Sequence, residues 1–242
     1  VFPFHAETVP ESDLHLVLEH PELFEVSLNG RRLDRRAPEE YWIDRCLERL
    51  VVPAAGLKQG RNEVRLTVPF HEDVNLEALY LIGDFGVRLE GTRRTLAPLP
   101  GKLCSGDLVP QGLPFYTGRV TYRLPVPVRP AKGNRLLLRT PSFEAACLKV
   151  ESGDTADDPR IAWQPYEADV TECVDNGFLE LSAVLTRRNL FGPLHQVPLK
   201  APAYGPGNFL TGGDAFAEEY MLYPSGLLEP PVFAEAETVA PE

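Results

Sequence analysis

Residues 24–33 read FEVSLNGRRL. Phe24, Val26 and Leu28 alternate with Glu25 and Ser27 until the chain meets Asn29-Gly30. Alternation of apolar and polar residues marks a strand with one buried face. Asn and Gly both accept positive φ, so the pair predicts a tight reversal. Further strands follow outward from this stretch, some alternating cleanly and others, such as 78–82, short apolar runs. Residues 14–19 (LHLVLE), 64–68 (VRLTV), 78–82 (ALYLI), 118–126 (GRVTYRLPV), 134–139 (NRLLLR), 145–150 (AACLKV) and 178–185 (FLELSAVL) all read as strands. The chain carries 24 prolines and 19 glycines, a punctuation that short strands tolerate and helices do not. All-β is the expected class.

One stretch is ambiguous. In EEYWIDRCLERL, residues 39–50, Tyr41, Ile43, Cys46, Leu47 and Leu50 form a helical stripe behind Pro38. Trp42, Asp44 and Cys46 alternate equally well along an extended segment. A repeat favours the extended reading. LVLEHPELFEVSLNG (16–30) has the outline of LLLRTPSFEAACLKVESG (136–153): apolar strand, proline, second strand, Gly turn. Residues 41–68 then parallel 161–185, with a Trp, an acidic residue, an apolar segment, a Gly turn and a strand in that order. Two copies of one supersecondary block imply two related modules.

Composition narrows the function. A net charge of -11 with no long basic block argues against nucleic acid and against an anionic membrane as partners. The one basic cluster, Arg31-Arg32 with Arg35-Arg36, is flanked by Asp34, Glu39 and Glu40 and reads as a solvated loop. No signal peptide and no apolar run of about 20 residues is visible. The sequence opens on Val1, so we expect an excerpt or processed product of a longer protein. Cys46, Cys104, Cys147 and Cys173 show no CxxC spacing and read as buried reduced thiols.

The motifs VSLNGRRL and GLKQGRNEVRLTV resemble the galactose-binding-like β-sandwich modules of glycoside hydrolase family 2 and its relatives. A longer succession covers most of the chain: LEALYLIGDFGV (76–87), QGLPFYTGRVTY (111–122), TRRNLFGPLH (186–195), GPGNF (205–209) and EEYMLYPSGL (218–227). It is similar to the C-terminal region of bacterial glycoside hydrolase-like proteins, some related to α-L-rhamnosidases. The resemblance implies antiparallel jelly-roll sandwiches in one to two modules. It also implies a non-catalytic accessory region whose partners are a carbohydrate and the catalytic domain of the parent chain. The expected modules are residues 1–75 and 76–200, followed by a Pro-rich, acidic tail, 201–242, that wraps the surface or is disordered. No cofactor is implied. Such sandwiches admit a structural calcium, but SGDTADD (152–158) lacks a DxDxDG pattern and reads as a solvated turn.

Sugar binding calls for an aromatic face ringed by planar polar groups. Trp42, Trp163 and Tyr166 are the aromatic candidates. The matched repeat positions of Trp42 and Trp163 favour core plugs, whereas Tyr166, between Pro165 and Glu167, favours the surface. Arg187, Asn189 and His195 belong to the densest polar-aromatic segment, TRRNLFGPLHQ, where a structural role or docking competes with ligand contact. A glycosidase in its own right needs two carboxyls across a cleft. Asp84 and the Glu218-Glu219 pair are the only groups that come forward, and nothing in the sequence places them opposite each other.

Overall fold

The computed structural model describes residues 1–34, 41–72, 74, 77–127, 130–152, 158–199 and 203–237. Arg35, Arg36, Glu39 and Glu40 of the basic cluster lie outside these residues, as does 153–157 of the candidate calcium loop. The chain is all-β and divides into two compact units, Val1–Gly101 and Lys102–Glu242.

In the first unit the strands are β1 (Phe2–Ala6), β2 (Leu14–Glu19), β3 (Glu25–Leu28), β4 (Arg31–Arg32), β5 (Tyr41–Trp42), β6 (Asp44–Val52), β7 (Gly60–Thr67), β8 (Tyr80–Ile82), β9 (Gly86–Glu90) and β10 (Arg93–Ala97). They form a six-stranded sheet, β4-β3-β7-β1-β10-β9, and a four-stranded sheet, β5-β6-β2-β8. Alternation does the folding. Leu14, Leu16 and Leu18 of β2 and Leu50 and Val52 of β6 turn inward to meet Ala6, Val26, Leu28, Val64 and Leu96 from the other sheet in one core. Within its described residues, 41–50, the ambiguous stretch is extended with a bend at Ile43, as the repeat favours. One pairing departs from the antiparallel expectation: β1 runs parallel to β10 through His5–Thr95 and Ala6–Leu96.

In the second unit the strands are β11 (Arg119–Pro125), β12 (Arg135–Arg139), β13 (Cys147–Glu151), β14 (Arg160–Ile161), β15 (Glu167–Asp169), β16 (Phe178–Val184) and β17 (Val232–Ala236). They form the sheets β11-β16-β13-β14 and β15-β12-β17. Val120, Leu148, Val150, Leu179 and Leu181 of the first face Leu136 and Leu138 of the second across a core that also takes in Leu108 and Leu227.

The repeat is visible in the pairing. The order β4-β3-β7-β1 of the first unit recurs as β14-β13-β16-β11 in the second, and β6-β2-β8 recurs as β15-β12-β17. The dividing point is Gly101, not residue 75, because β8 pairs with β2 and β10 with β1. The tail is also more than a wrapping. Leu227 is fully buried, its N–H donates to the Tyr122 hydroxyl at 3.2 Å, and β17 pairs with β12 along five residues. All four cysteines are free, but Cys46 and Cys104 are exposed rather than buried.

Asn29 and Gly30 have φ of 51° and 81° and join β3 to β4 in two residues. The Asn29 amide donates to Gly56 O and to Asn62 Oδ1, both at 2.9 Å, and its oxygen accepts from Glu63 N at 3.0 Å. The turn is thus tied to the neighbouring strand β7 rather than left as a loose end.

Candidate functional site

A depression of about 800 Å³ in the second unit is lined by Arg139, Thr140, Pro141, Gln164, Pro165, Tyr166, Glu167 and Val232. Its size falls in the range of small-ligand sites. Strand pairing brings these residues together, because Arg139 at the end of β12 lies opposite Glu167 on one side and Val232 on the other. Thr140 is buried and holds the Tyr166 carbonyl twice, from its N–H at 2.9 Å and its hydroxyl at 3.2 Å. The Tyr166 ring stands edge-on to Phe143 at 5.0 Å. Tyr166 is therefore a fixed surface ring. Arg139 Nε donates to Glu167 Oε2 at 3.0 Å, so the polar rim presents a paired cation and anion. Among the described residues Glu167 is the only carboxylate in this lining.

Trp163 lies next in sequence to Gln164 of the lining and is 75% exposed, which overturns its expected role as a core plug. The physical reason is local. The segment from Trp163 to Pro165 is a bend outside any strand, so no pleat turns the indole inward. Trp42 is also no plug: it is half-buried at the end of β5, tilted against Tyr80 at 5.5 Å. It belongs to the first unit and is not among the residues that line the depression.

The remaining candidates make a different cluster. Asn189, in the short helix α1 (Arg188–Phe191), is buried and clasps the backbone of Tyr223, donating to its carbonyl at 2.8 Å and accepting from its N–H at 2.9 Å. His195 Nδ1 lies 2.8 Å from the Ala217 carbonyl, and its ring packs against Tyr220 at 5.2 Å. Arg188 lies over the rings of Tyr204 and Tyr223, at 4.5 and 4.8 Å, and donates to Pro193 O at 3.0 Å. The Tyr204 and Tyr223 hydroxyls bond to one another, and that bond, with burial, raises the Tyr223 phenol above its ordinary value. Asn189, His195 and the Arg188 Nη2 fasten this segment to itself, while Nε and Nη1 of Arg188 are buried with no hydrogen-bond partner among the described residues. Arg187 is exposed at the edge of this cluster.

The sequence reading missed Arg139, Thr140, Gln164 and Val232 as lining residues. Val232 reaches the depression only because the last strand returns to β12, a long-range pairing with no local signal. Among the described residues no group of three or more His, Cys, Asp or Glu side chains is arranged to hold a metal, and no helix is long and apolar enough to cross a membrane.

No protein-family model matches the chain, and no curated protein matches it. Among solved structures it is similar to a rhamnosidase from Novosphingobium sp. PP1Y, at 17% identity and a TM-score of 0.34, over 93% of this chain and 22% of that one. The chain spans about a fifth of that enzyme's length.

Proposed function

We propose that the chain is a non-catalytic, carbohydrate-binding accessory region of a larger glycoside hydrolase-like protein, built from sandwiches of the galactose-binding jelly-roll type. Sugar lies on the surface around Trp163 and Tyr166. The observation that carries this reading is the exposed indole: Trp163 keeps only a quarter of its surface from water, beside a depression with a second aromatic ring. An aromatic face stacks on the C–H side of a pyranose. Arg139, Gln164 and Glu167 supply donors and acceptors for its hydroxyls. A single stacked ring with a few hydrogen bonds gives dissociation constants on the order of millimolar to micromolar, because association costs rigid-body freedom.

A second reading, an architectural region that packs on a catalytic domain of the parent chain and binds no sugar, is favoured by the cluster around Arg188, where the richest polar-aromatic segment serves internal fastening. A hydrolytic site in the depression is disfavoured, since its lining holds one carboxylate where the reaction needs two. Calorimetric titration against mono- and oligosaccharides tests the first reading. Binding by the wild type that is lost in Trp163→Ala and Tyr166→Ala supports it. A wild type that binds nothing on the panel, yet raises the melting temperature of the parent's catalytic domain, establishes the second.

A further inference from the structure

The repeated strand order leaves one position filled in the first unit and unfilled in the second. β1 is bonded on one side to β7 and on the other to β10. Among the described residues its counterpart β11 is bonded to β16 alone and ends its sheet. The direction of each backbone group on β11 follows from its ends. Leu185 N donates to Gly118 O at 3.1 Å, and Val126 N donates to Gly177 O at 2.9 Å. Even-numbered residues therefore bond to β16, and the N–H and C=O groups of Arg119, Thr121 and Arg123 point away from it. Among the described residues only Arg119 O on that edge has a partner, the Tyr116 hydroxyl at 3.2 Å. Arg119, Thr121 and Arg123 are all exposed.

We propose that this edge of β11 is a docking site for an extended acidic segment of a partner protein, which adds as a further strand in the place that β10 takes beside β1. Main-chain bonding supplies such a strand's affinity and side-chain chemistry its choice of partner. The choice follows from the side chains at the edge. Arg119 and Arg123 stand two residues either side of Thr121 and would lie beside alternate residues of an added strand. A second copy of β11 docked antiparallel about Thr121 would set Arg119 against Arg123 of the other copy twice over, and like charges directly opposed are unfavourable. On their own sheet Arg119 Nη1 lies 3.4 Å from Glu151 Oε1 and the Arg123 guanidinium lies 4.1 Å over the Phe178 ring; both side chains stay exposed, and alternating Glu residues meet them from the open side. Pro125 has no N–H to offer, so it limits the docking stretch to Arg119–Arg123. This surface is separate from the depression around Tyr166, and the inference stands whether or not sugar binds there.

The test uses the full chain and a synthetic peptide alternating Glu with Thr and Val, with a Lys-for-Glu peptide as control. In the protein alone the Thr121 and Arg123 amides should exchange readily with solvent. The Glu peptide should protect both, and the Lys peptide should not. Thr121→Pro removes an N–H that β16 does not use, and should weaken the Glu peptide roughly tenfold or more. Thr121→Val, which keeps the N–H, should not. A double reversal, Arg119→Glu with Arg123→Glu, leaves the backbone intact and should exchange the preference for the two peptides. Amides already protected in the isolated protein, or peptide affinity untouched by Thr121→Pro, would overturn the proposal. Equal binding of both peptides would overturn its acidic partner. Concentration-dependent dimerisation that Thr121→Pro abolishes, with no peptide bound, would give the edge to a second copy.

Discussion

At the end of β3 the first unit reverses in two residues, Asn29 and Gly30. At the end of β13 the second unit takes residues 152–159 to reach β14. The strands on either side correspond. Leu28 lies opposite Val64, and Val150 lies opposite Leu181. Two residues before Val64 stands Asn62, and two before Leu181 stands Leu179; both are fully buried. One strand order thus accepts an amide or a leucine at the same interior place. The amide has work that the leucine lacks. Its oxygen accepts from Lys58 N at 3.0 Å, and its nitrogen donates to Lys58 O and Gly60 O at 2.7 and 3.1 Å. It also receives the Asn29 amide. Asn62 thus satisfies the backbone of the Lys58–Gly60 approach to β7, and the Asn29 side chain ties the short turn to it. The longer connection is anchored by charge: Asp158, buried, lies 2.8 Å from Lys149 and 2.5 Å from the Ser152 hydroxyl.

Exchanging the two interior residues breaks the comparison most severely. Asn62→Leu strands several buried backbone groups and the Asn29 amide, and should cost roughly 3–5 kcal/mol. Leu179→Asn buries an amide with no such partners and should cost about 3 kcal/mol. Hydrogen exchange resolved along the chain should place the first loss in residues 1–101 and the second in 102–242. Stability indifferent to Asn62→Leu would mean that the turn holds itself.

Lys149→Met tests the charged anchor. It removes the ammonium beside buried Asp158 and should lower stability at neutral pH. Lys149 also donates to Glu151 at 2.7 Å, and that bond holds the Glu151 carboxyl below its ordinary value of 4.5. A lowered folded pKa adds stability that is complete above about pH 4.5 and disappears as pH falls through the folded value. Denaturant melts from pH 7 to pH 3 should therefore show a steeper acid loss in the wild type than in the variant. An identical slope would remove Glu151 from the anchor. Smaller still is Gly30→Val. No atom lies within 4 Å of the added Cβ, so only the backbone at φ of 81° objects, at roughly 1–3 kcal/mol.

The aromatic pair marks the low end. Tyr166→Ala loses the edge-on contact with Phe143 and should cost about 1 kcal/mol. Trp163→Ala should stay within about 0.5 kcal/mol, as for other exposed positions. A loss of several kcal/mol at Trp163 would restore it as a core residue.

All eight stretches read as strands correspond to strands; where they alternate, period two reports which face is dry, and ALYLI was legible as a short apolar run. β1 escaped for a physical reason: Pro3 interrupts FPFHA, and proline argues against an interior strand. Pro3 lies opposite Glu63, whose N–H and C=O are both engaged with Asn29 on the other side. The missing Pro3 donor would thus have pointed away from β7, and the parallel bridging to β10 involves only His5 and Ala6. β9 and β10 escaped because their strands are short and rich in arginine. At the site, Tyr166 was legible from Pro165 and Glu167 on either side of it. Trp163 was misread because repeat position says where a residue stands along the chain, not which way a bend turns it.

The late return of β17 has a consequence for synthesis. The first unit has all its strands once Ala97 has left the ribosome. The second cannot flank β12 on both sides until Val232–Ala236 emerges, although β12 itself is made by Arg139. Closing so long a span costs chain entropy and slows pairing. At about 5–20 residues per second, the Leu136–Leu138 strand waits several seconds with one flank open. That interval, rather than any weakness in the finished molecule, is when the nascent chain offers a chaperone something to hold.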